Sequence, residues 1–356
     1  MIMTVSLCVI AYNEESLIRG LFDDISKQDY PHELTEIIFV DNGSTDTTPA
    51  LLSSFARLNS DFLRVHICTQ EKSNQAHGWN TALCNAYGDI IIRIDAHGRI
   101  PSDYVSKCVK EIEGGEDIVG GGRPCISQQH SDWDNTLLAA EECLFGSSVM
   151  GYRRRQTEKT YLKSLFHAAY RRSVFSRVGG FNETLGRTED NEIHYRMRKV
   201  GYKFACCPEI TSNQYIRGSL RGMVRQKYSN GYWIGLTLFV CPKCLSILHF
   251  APFGLVLGII IGAIAAWKGH AVLLAALLAL YLLFDIAIGM SALNYGGYNK
   301  KKPFLFLIFP LLHISYGVGT LFGIICAIPW RNSHSQRKAR DMIKKVKYEI
   351  RENTIE

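Results

Sequence analysis

Charge is missing where this chain is most apolar. Between Leu245 and Ala266, and again between Phe304 and Trp330, there is no Asp, Glu, Lys or Arg; between Ala271 and Leu293 there is one, Asp285. Each stretch exceeds the ~20 residues that cross a bilayer core, which excludes an ordinary soluble protein. A glycine-rich phosphate cradle is also missing: neither GxGxxG nor GxxxxGK[ST] follows the first apolar run. A disulfide framework is absent too, because the 11 cysteines are odd in number and scattered. Cys241 and Cys244 have half a zinc spacing with no second CxxC to complete it, so they read as small apolar residues. No leader precedes the first apolar run, and Met1 to Ala11 passes directly into Asn13-Glu14-Glu15. These features predict a polar domain in a reducing cytosol.

The positive charge is concentrated at the other end. Of the formal net charge of +7, Arg331 to Glu356 carries +4, from eight Lys or Arg against four acids. Its one aromatic residue is Tyr348, so the base-stacking pattern of a nucleic-acid binder is absent and no nucleic-acid partner is expected. A basic segment beside a span is expected on the cytosolic leaflet. The expected organisation is a domain over 1–235, interfacial and transmembrane helices over 236–330, and a basic cytoplasmic tail over 331–356.

The first 100 residues alternate short apolar runs with helical patterns. Thr4 to Ile10, Glu36 to Val40, Leu63 to Cys68 and Asp89 to Ile94 read as strands. Ser16 to Ser26, Thr47 to Leu58 and Asn80 to Tyr87 read as helices, the second capped by Asp46. That order predicts an α/β domain with a mainly parallel sheet. Its polar residues gather after the strand C-termini, where open α/β sheets bind ligands. They include Glu14, Asp41, Asp46 and Asp95. Carboxylates hold phosphates through a divalent cation, so these loops point to a metal-dependent nucleotide site. A second acidic loop, Thr188-Glu189-Asp190-Asn191-Glu192, opens a helix. By composition its carboxylates serve either the helix N-terminus or chemistry.

Five segments occur together in order: Val9-Ile10-Ala11-Tyr12-Asn13-Glu14, Asp41 to Asp46, Asp95-Ala96-His97, Gly179-Gly180-Phe181 and Thr188-Glu189-Asp190. This set resembles the inverting family 2 glycosyltransferases of GT-A fold, over about residues 4 to 235. Arg93 to His97, Arg225 to Trp233 and the C-terminal apolar segments resemble the succinoglycan-type membrane glucosyltransferases within that family. The resemblance implies a UDP-sugar donor, Mn²⁺ or Mg²⁺, and a polyprenyl-diphosphate-linked saccharide acceptor in exopolysaccharide synthesis at the bacterial cell membrane. It places the nucleotide at Ala11, Tyr12, Glu14, Asp41 and Asp95, and the cation at Asp95 and His97. His97 stands where most of the family has Asp, and imidazole is a softer ligand with one negative charge fewer. Asp190 becomes the general base with Glu189 beside it, and Arg225, Tyr228 and Trp233 line the acceptor. Gln226 lacks the Arg-Trp continuation of the processive synthases' Q-x-x-R-W segment, so one sugar per acceptor is implied. Alternatives are a polyprenyl-phosphate sugar synthase, which needs no base, and an inactive membrane scaffold.

For the third apolar stretch two topologies stay open. One is a full span, and the other is a re-entrant pair broken near Tyr316-Gly317-Val318-Gly319. Asp285 and His313 are expected to pair, either lining an acceptor groove or as an interhelical hydrogen bond.

Overall fold

The structure is a computed structural model that describes residues 3–71, 73–144, 156–297, 299–334 and 336–352, so the last four residues of the tail lie outside it. Its strands are β1 (Val5–Ala11), β2 (Thr35–Asp41), β3 (Arg64–Thr69), β4 (Ile90–Asp95), β5 (Gly98–Arg99), β6 (Ile118–Gly122), β7 (Cys125–Ile126), β8 (Thr160–Leu162), β9 (Ala169–Arg171), β10 (Phe204–Thr211) and β11 (Asn213–Tyr215). Its α-helices are α1 (Ile18–Ile25), α2 (Thr48–Leu58), α3 (Gln75–Asn85), α4 (Tyr104–Glu113), α5 (Asp132–Glu142), α6 (Arg172–Val178), α7 (Glu189–Lys199), α8 (Leu220–Thr237), α9 (Ala251–Trp267), α10 (Ala271–Leu293), α11 (Leu305–Ser333) and α12 (Gln336–Glu352).

The chain divides into two compact units. The first comprises Met1–Pro124, Gly151–Gln214 and Ser335–Glu356, and the second Cys125–Met150 with Tyr215–His334. The first unit's second segment ends at Gln214, and the basic tail belongs with that unit. The reason is amphipathicity: α12 buries Ala339, Val346 and Ile350 and packs against α6 and α3. Gly180 N–H donates to the Ile343 carbonyl at 3.3 Å, and Arg172 Nη2 donates to that of Ile350 at 3.0 Å.

The first unit is built on a sheet ordered β3-β2-β1-β4-β9-β6-β10-β8. β1, β2, β3 and β4 pair in parallel, as do β6 and β10, while β9 and β8 run antiparallel to their neighbours. Helices cover both faces, which is why β1, β2 and β4 read as continuous apolar runs without alternation. Val5, Leu7, Val9, Ile37, Phe39, Ile92 and Ile94 are buried in one core with Leu21, Phe55 and Tyr104. The chain leaves β1 for β2 on one side, and β4 pairs on the other. This switch point opens a crevice at the strand C-termini. The register there sets Ala11 beside Asp41 and Ile10 beside Asp95.

In the second unit three helices are long and apolar enough to cross a membrane: Ile247–Trp267, Ala271–Leu293 and Lys302–Ser333. The break considered for a re-entrant segment does not occur, because α11 runs unbroken through Tyr316 to Gly319. Its glycines serve close packing: a Cβ on Gly319 would stand 2.1 Å from the Tyr228 carbonyl of α8. Of the expected Asp285–His313 pair, His313 Nδ1 is engaged by the Tyr281 hydroxyl at 2.8 Å, and Asp285 Oδ1 is buried without a hydrogen-bond partner.

Candidate active site

Two loops are laced together at the carboxyl ends of β1 and β2. Asn13 adopts φ 54°, a left-handed conformation that Asn tolerates. This lets Asn13 N–H donate to Ser44 Oγ at 2.9 Å and its Oδ1 accept from Thr45 N–H at 2.8 Å. Glu14 N–H donates to Thr48 Oγ1, and Asp41 Oδ1 accepts from Ser44 N–H. The N-cap of α2 is Thr47, with no side-chain capping bond, and not the expected Asp46; Asp46, one residue earlier, still accepts from Thr48 N–H at 2.9 Å. Tyr12 is 37% exposed, whereas Asp41 and Asn42 are buried.

Asp95, the last residue of β4, lies amid cationic and amide groups. Its Oδ2 is 3.1 Å from Gln214 Nε2, 3.4 Å from His167 Nε2 and 3.8 Å from Arg123 Nη1. Burial opposes its charge, but His167, His97 and Arg123 outweigh that and hold its carboxyl well below the usual range. Burial pushes His167 down from the ordinary imidazole range, so at neutral pH Arg123 supplies the standing positive charge. Arg123 Nη1 donates to Gln214 Oε1, which fixes the amide and turns Nε2 towards Asp95 and His97. His97 Nε2, 2.8 Å from that donor, must then accept. His97 Nδ1 carries the proton and donates to Glu14 Oε1 at 3.1 Å.

One carboxylate oxygen and one imidazole nitrogen therefore aim lone pairs at a single point, the Gln214 amide nitrogen. Asp95 and His97 would hold a divalent cation at that point once the Gln214 amide turned aside, and the cation would supply charge to offset a diphosphate. Among the described residues no three of His, Cys, Asp and Glu gather as a metal-ligand group.

Glu189 and Asp190 form the first turn of α7 and are both buried. The helix N-cap is Thr188, with no side-chain capping bond. Asp190 Oδ1 instead accepts from Arg93 Nη1 at 2.7 Å, across 97 residues of sequence. The Arg93 guanidinium lies 4.1 Å over the Trp79 ring and 4.7 Å over that of Phe181. Phe181 is fixed by Asn80, which donates to its carbonyl at 3.0 Å and accepts from its N–H. Glu189 behaves differently: burial, with the Asp190 charge beside it, pushes its carboxyl up to about 8, and its Oε2 has no hydrogen-bond partner. At neutral pH it holds its proton. Nearby His194, neutral because burial drives it down to about 3, bonds Ser164 Oγ at 2.7 Å and the Tyr170 hydroxyl at 3.1 Å.

The remaining expected residues lie on α8. Arg225 and Tyr228, three apart, share an exposed face. Trp233 is turned from them and packs edge-on against Trp330, with ring centroids 6.1 Å apart. Beneath them the buried Lys227 pairs with Glu141 of α5 at 3.1 Å.

Sequence reasoning gave no role to Arg93, Arg123, His167 or Gln214. Arg93 carried a usable signal, since a charge inside the run DIIIRI of a central strand must be paired. The other three, Arg123 after β6, His167 before β9 and Gln214 in β11, are distant in sequence and carried none.

Comparison with known proteins agrees with this architecture. Residues 6–179 match the sequence model of Glycosyl transferase family 2. The first unit is thus a family 2 glycosyltransferase domain on the GT-A fold. The chain is 27% identical over 257 residues to the dolichyl N-acetyl-alpha-D-glucosaminyl phosphate 3-beta-D-2,3-diacetamido-2,3-dideoxy-beta-D-glucuronosyltransferase of Methanococcus voltae, covering 70% of this chain and 78% of that one. It is 28% identical over 232 residues to the succinoglycan biosynthesis protein ExoA of Rhizobium meliloti, covering 64% and 68%. In structure it resembles the mannosyltransferase PcManGT of Pyrobaculum calidifontis, solved with GDP-Man and Mn²⁺, with a TM-score of 0.59, 22% identity, and 90% and 88% of the two chains covered.

Proposed function

We propose that this protein is an inverting, metal-dependent hexosyltransferase. It moves one sugar, such as glucose, from a UDP-sugar to a polyprenyl-diphosphate-linked saccharide in exopolysaccharide synthesis at the bacterial cell membrane. The observation that carries the reading is Asp190. Its carboxyl group is held by Arg93 at 2.7 Å, on the same compact unit as the strand-end loops, and a positioned carboxylate is what an acceptor hydroxyl needs. The relatives named above, a transferase acting on a dolichyl-phosphate-linked sugar and a succinoglycan biosynthesis protein, support a lipid-linked or polysaccharide acceptor.

Tyr12 and Asp41 receive the base, with Ala11 and Glu14 beside the nucleoside. Asp95 and His97 would hold the cation, which when bound offsets the charge of the departing diphosphate. Arg93 fixes one Asp190 oxygen, and the carboxylate accepts the hydroxyl proton as the acceptor oxygen attacks the anomeric carbon. Displacement in one step turns an α-linked donor into a β-glycoside. Arg225 and Tyr228 serve the acceptor, while Trp233, packed on Trp330, ties α8 to α11. The α9–α10 hairpin anchors the protein, with the catalytic unit on the cytosolic side where nucleotide sugars are found.

The test incubates detergent-purified full-length protein with a panel of UDP-sugars, Mn²⁺ or Mg²⁺, and lipid-linked acceptors. Cation-dependent transfer to a saccharide hydroxyl with a β product supports the reading. Transfer to polyprenyl phosphate itself gives the synthase alternative, and no turnover of any donor gives the scaffold.

A further inference from the structure

We propose that α11 is not a third span but lies in the leaflet on the side of the catalytic unit, its exposed apolar stripe forming a lipid-contact surface. The proposal rests on the membrane-bound reading above.

Three observations carry it. The first is the partner of α11. α8 and α11 pack in parallel with constant register: Ser315 Oγ donates to the Val224 carbonyl at 2.9 Å, Gly319 sits on the Tyr228 carbonyl, and Gly323 on that of Tyr232. α8 carries Arg221 and Arg225, both exposed, with Gln226 and Asn230. A helix so charged is expensive at hydrocarbon depth, and it holds α11 with it near the polar boundary.

The second is connectivity. The register sets the start of α8, Leu220, level with Leu311, and Leu220 follows Gln214 of the catalytic unit by six residues. At its far end α11 stops at Ser333, and α12 begins at Gln336 as part of that same unit. A 29-residue helix is about 44 Å long, more than the ~30 Å hydrocarbon core. Were it to cross, its last residues would emerge opposite the unit that contains α12. The apolar segments therefore cross an even number of times: out through α9, back through α10, and not again.

The third is the stripe itself. Leu307, Leu311, Ile314, Phe322, Ile325 and Ile328 are exposed at helical spacing, while Leu312, Gly319, Thr320 and Gly323 are buried on the other side. A helix with one apolar face outward along its whole length fits acyl chains on that face and protein on the other.

The test uses the full-length protein in its native membrane. One variant carries a protease-recognition insertion at Gly269, which has open space around it, and another carries it after Glu356. Protease is added outside intact spheroplasts or to inside-out vesicles. The expected result is cleavage at Gly269 only from outside and after Glu356 only from inside. Cleavage after Glu356 from outside makes α11 a span and overturns the proposal. Cleavage at Gly269 only from inside removes the hairpin crossing and overturns it as well. Release of uncut protein by alkaline carbonate would overturn the membrane-bound reading and the proposal with it, a failure distinct from wrong sidedness.

Discussion

Arg93 and Asp190 form a buried ion pair, Nη1 to Oδ1 at 2.7 Å, that joins the central strand β4 to the first turn of α7. Two aromatic rings flank the guanidinium, so water cannot replace either partner. Removing one side leaves the other charge buried alone, which costs about 3–5 kcal/mol. Arg93→Met is therefore expected to lower the thermal midpoint and abolish transfer. Arg93→Met combined with Asp190→Asn is expected to recover part of the stability and none of the transfer. Thermal unfolding in detergent, beside transfer assays, checks both.

Asp190→Asn keeps the shape and the bond from Arg93 but cannot take a proton. Transfer is expected to fall by ~10² or more while UDP binding stays near native. Native transfer rates in this variant end the general-base assignment.

The two proposed cation ligands should respond differently from the base. Asp95→Asn and His97→Ala are expected to weaken Mn²⁺-dependent UDP binding itself, measured by calorimetry without acceptor. His97→Asp keeps a ligand of the harder kind and is expected to bind better than His97→Ala, with preference shifted towards Mg²⁺.

Glu189 gives a pH signature. Its carboxyl titrates at about 8 when folded against 4.5 ordinarily, so between those values the unfolded chain binds fewer protons than the folded one. Stability is then fully present below pH 4.5 and is lost as pH rises towards 8. His194, lowered to about 3, contributes the opposite slope below its ordinary 6.5, which leaves the window above pH 6.5 to Glu189. Glu189→Gln should flatten the fall in thermal midpoint between pH 6.5 and 8. An unchanged slope in that variant removes Glu189 as its source.

The tail helix can be tested through Ile350, which is buried at the end of α12 beside the Arg172 contact. Ile350→Ala is expected to cost about 2–5 kcal/mol and to expose the tail to limited proteolysis. A native cleavage rate would show α12 to be undocked in solution.

The sequence by itself determined the parts of this protein written in neighbouring residues. Apolar runs of strand length separated by amphipathic segments placed β1 to β4 to within about one residue at each end; β1, β2 and β4 are covered on both faces, and the edge strand β3 shows instead in the alternation of Val65 and Ile67 with polar neighbours. Polar residues after each run marked the strand-end loops, and uncharged stretches marked the helices long and apolar enough to cross a membrane. Tertiary structure alone decided what depends on contacts between distant positions. The antiparallel β8 and β9 are three residues each, too short for a period to register. Gln214 reaches Asp95 across 119 residues, and Arg93 reaches Asp190 across 97. The glycines of α11 suggested a break in sequence, yet they let α8 approach. The tail read as a free basic segment, yet its three buried apolar side chains dock it on the catalytic unit. A hydrophobic pattern says that a face is buried but not against what, and the partner is chosen only when the whole chain has closed.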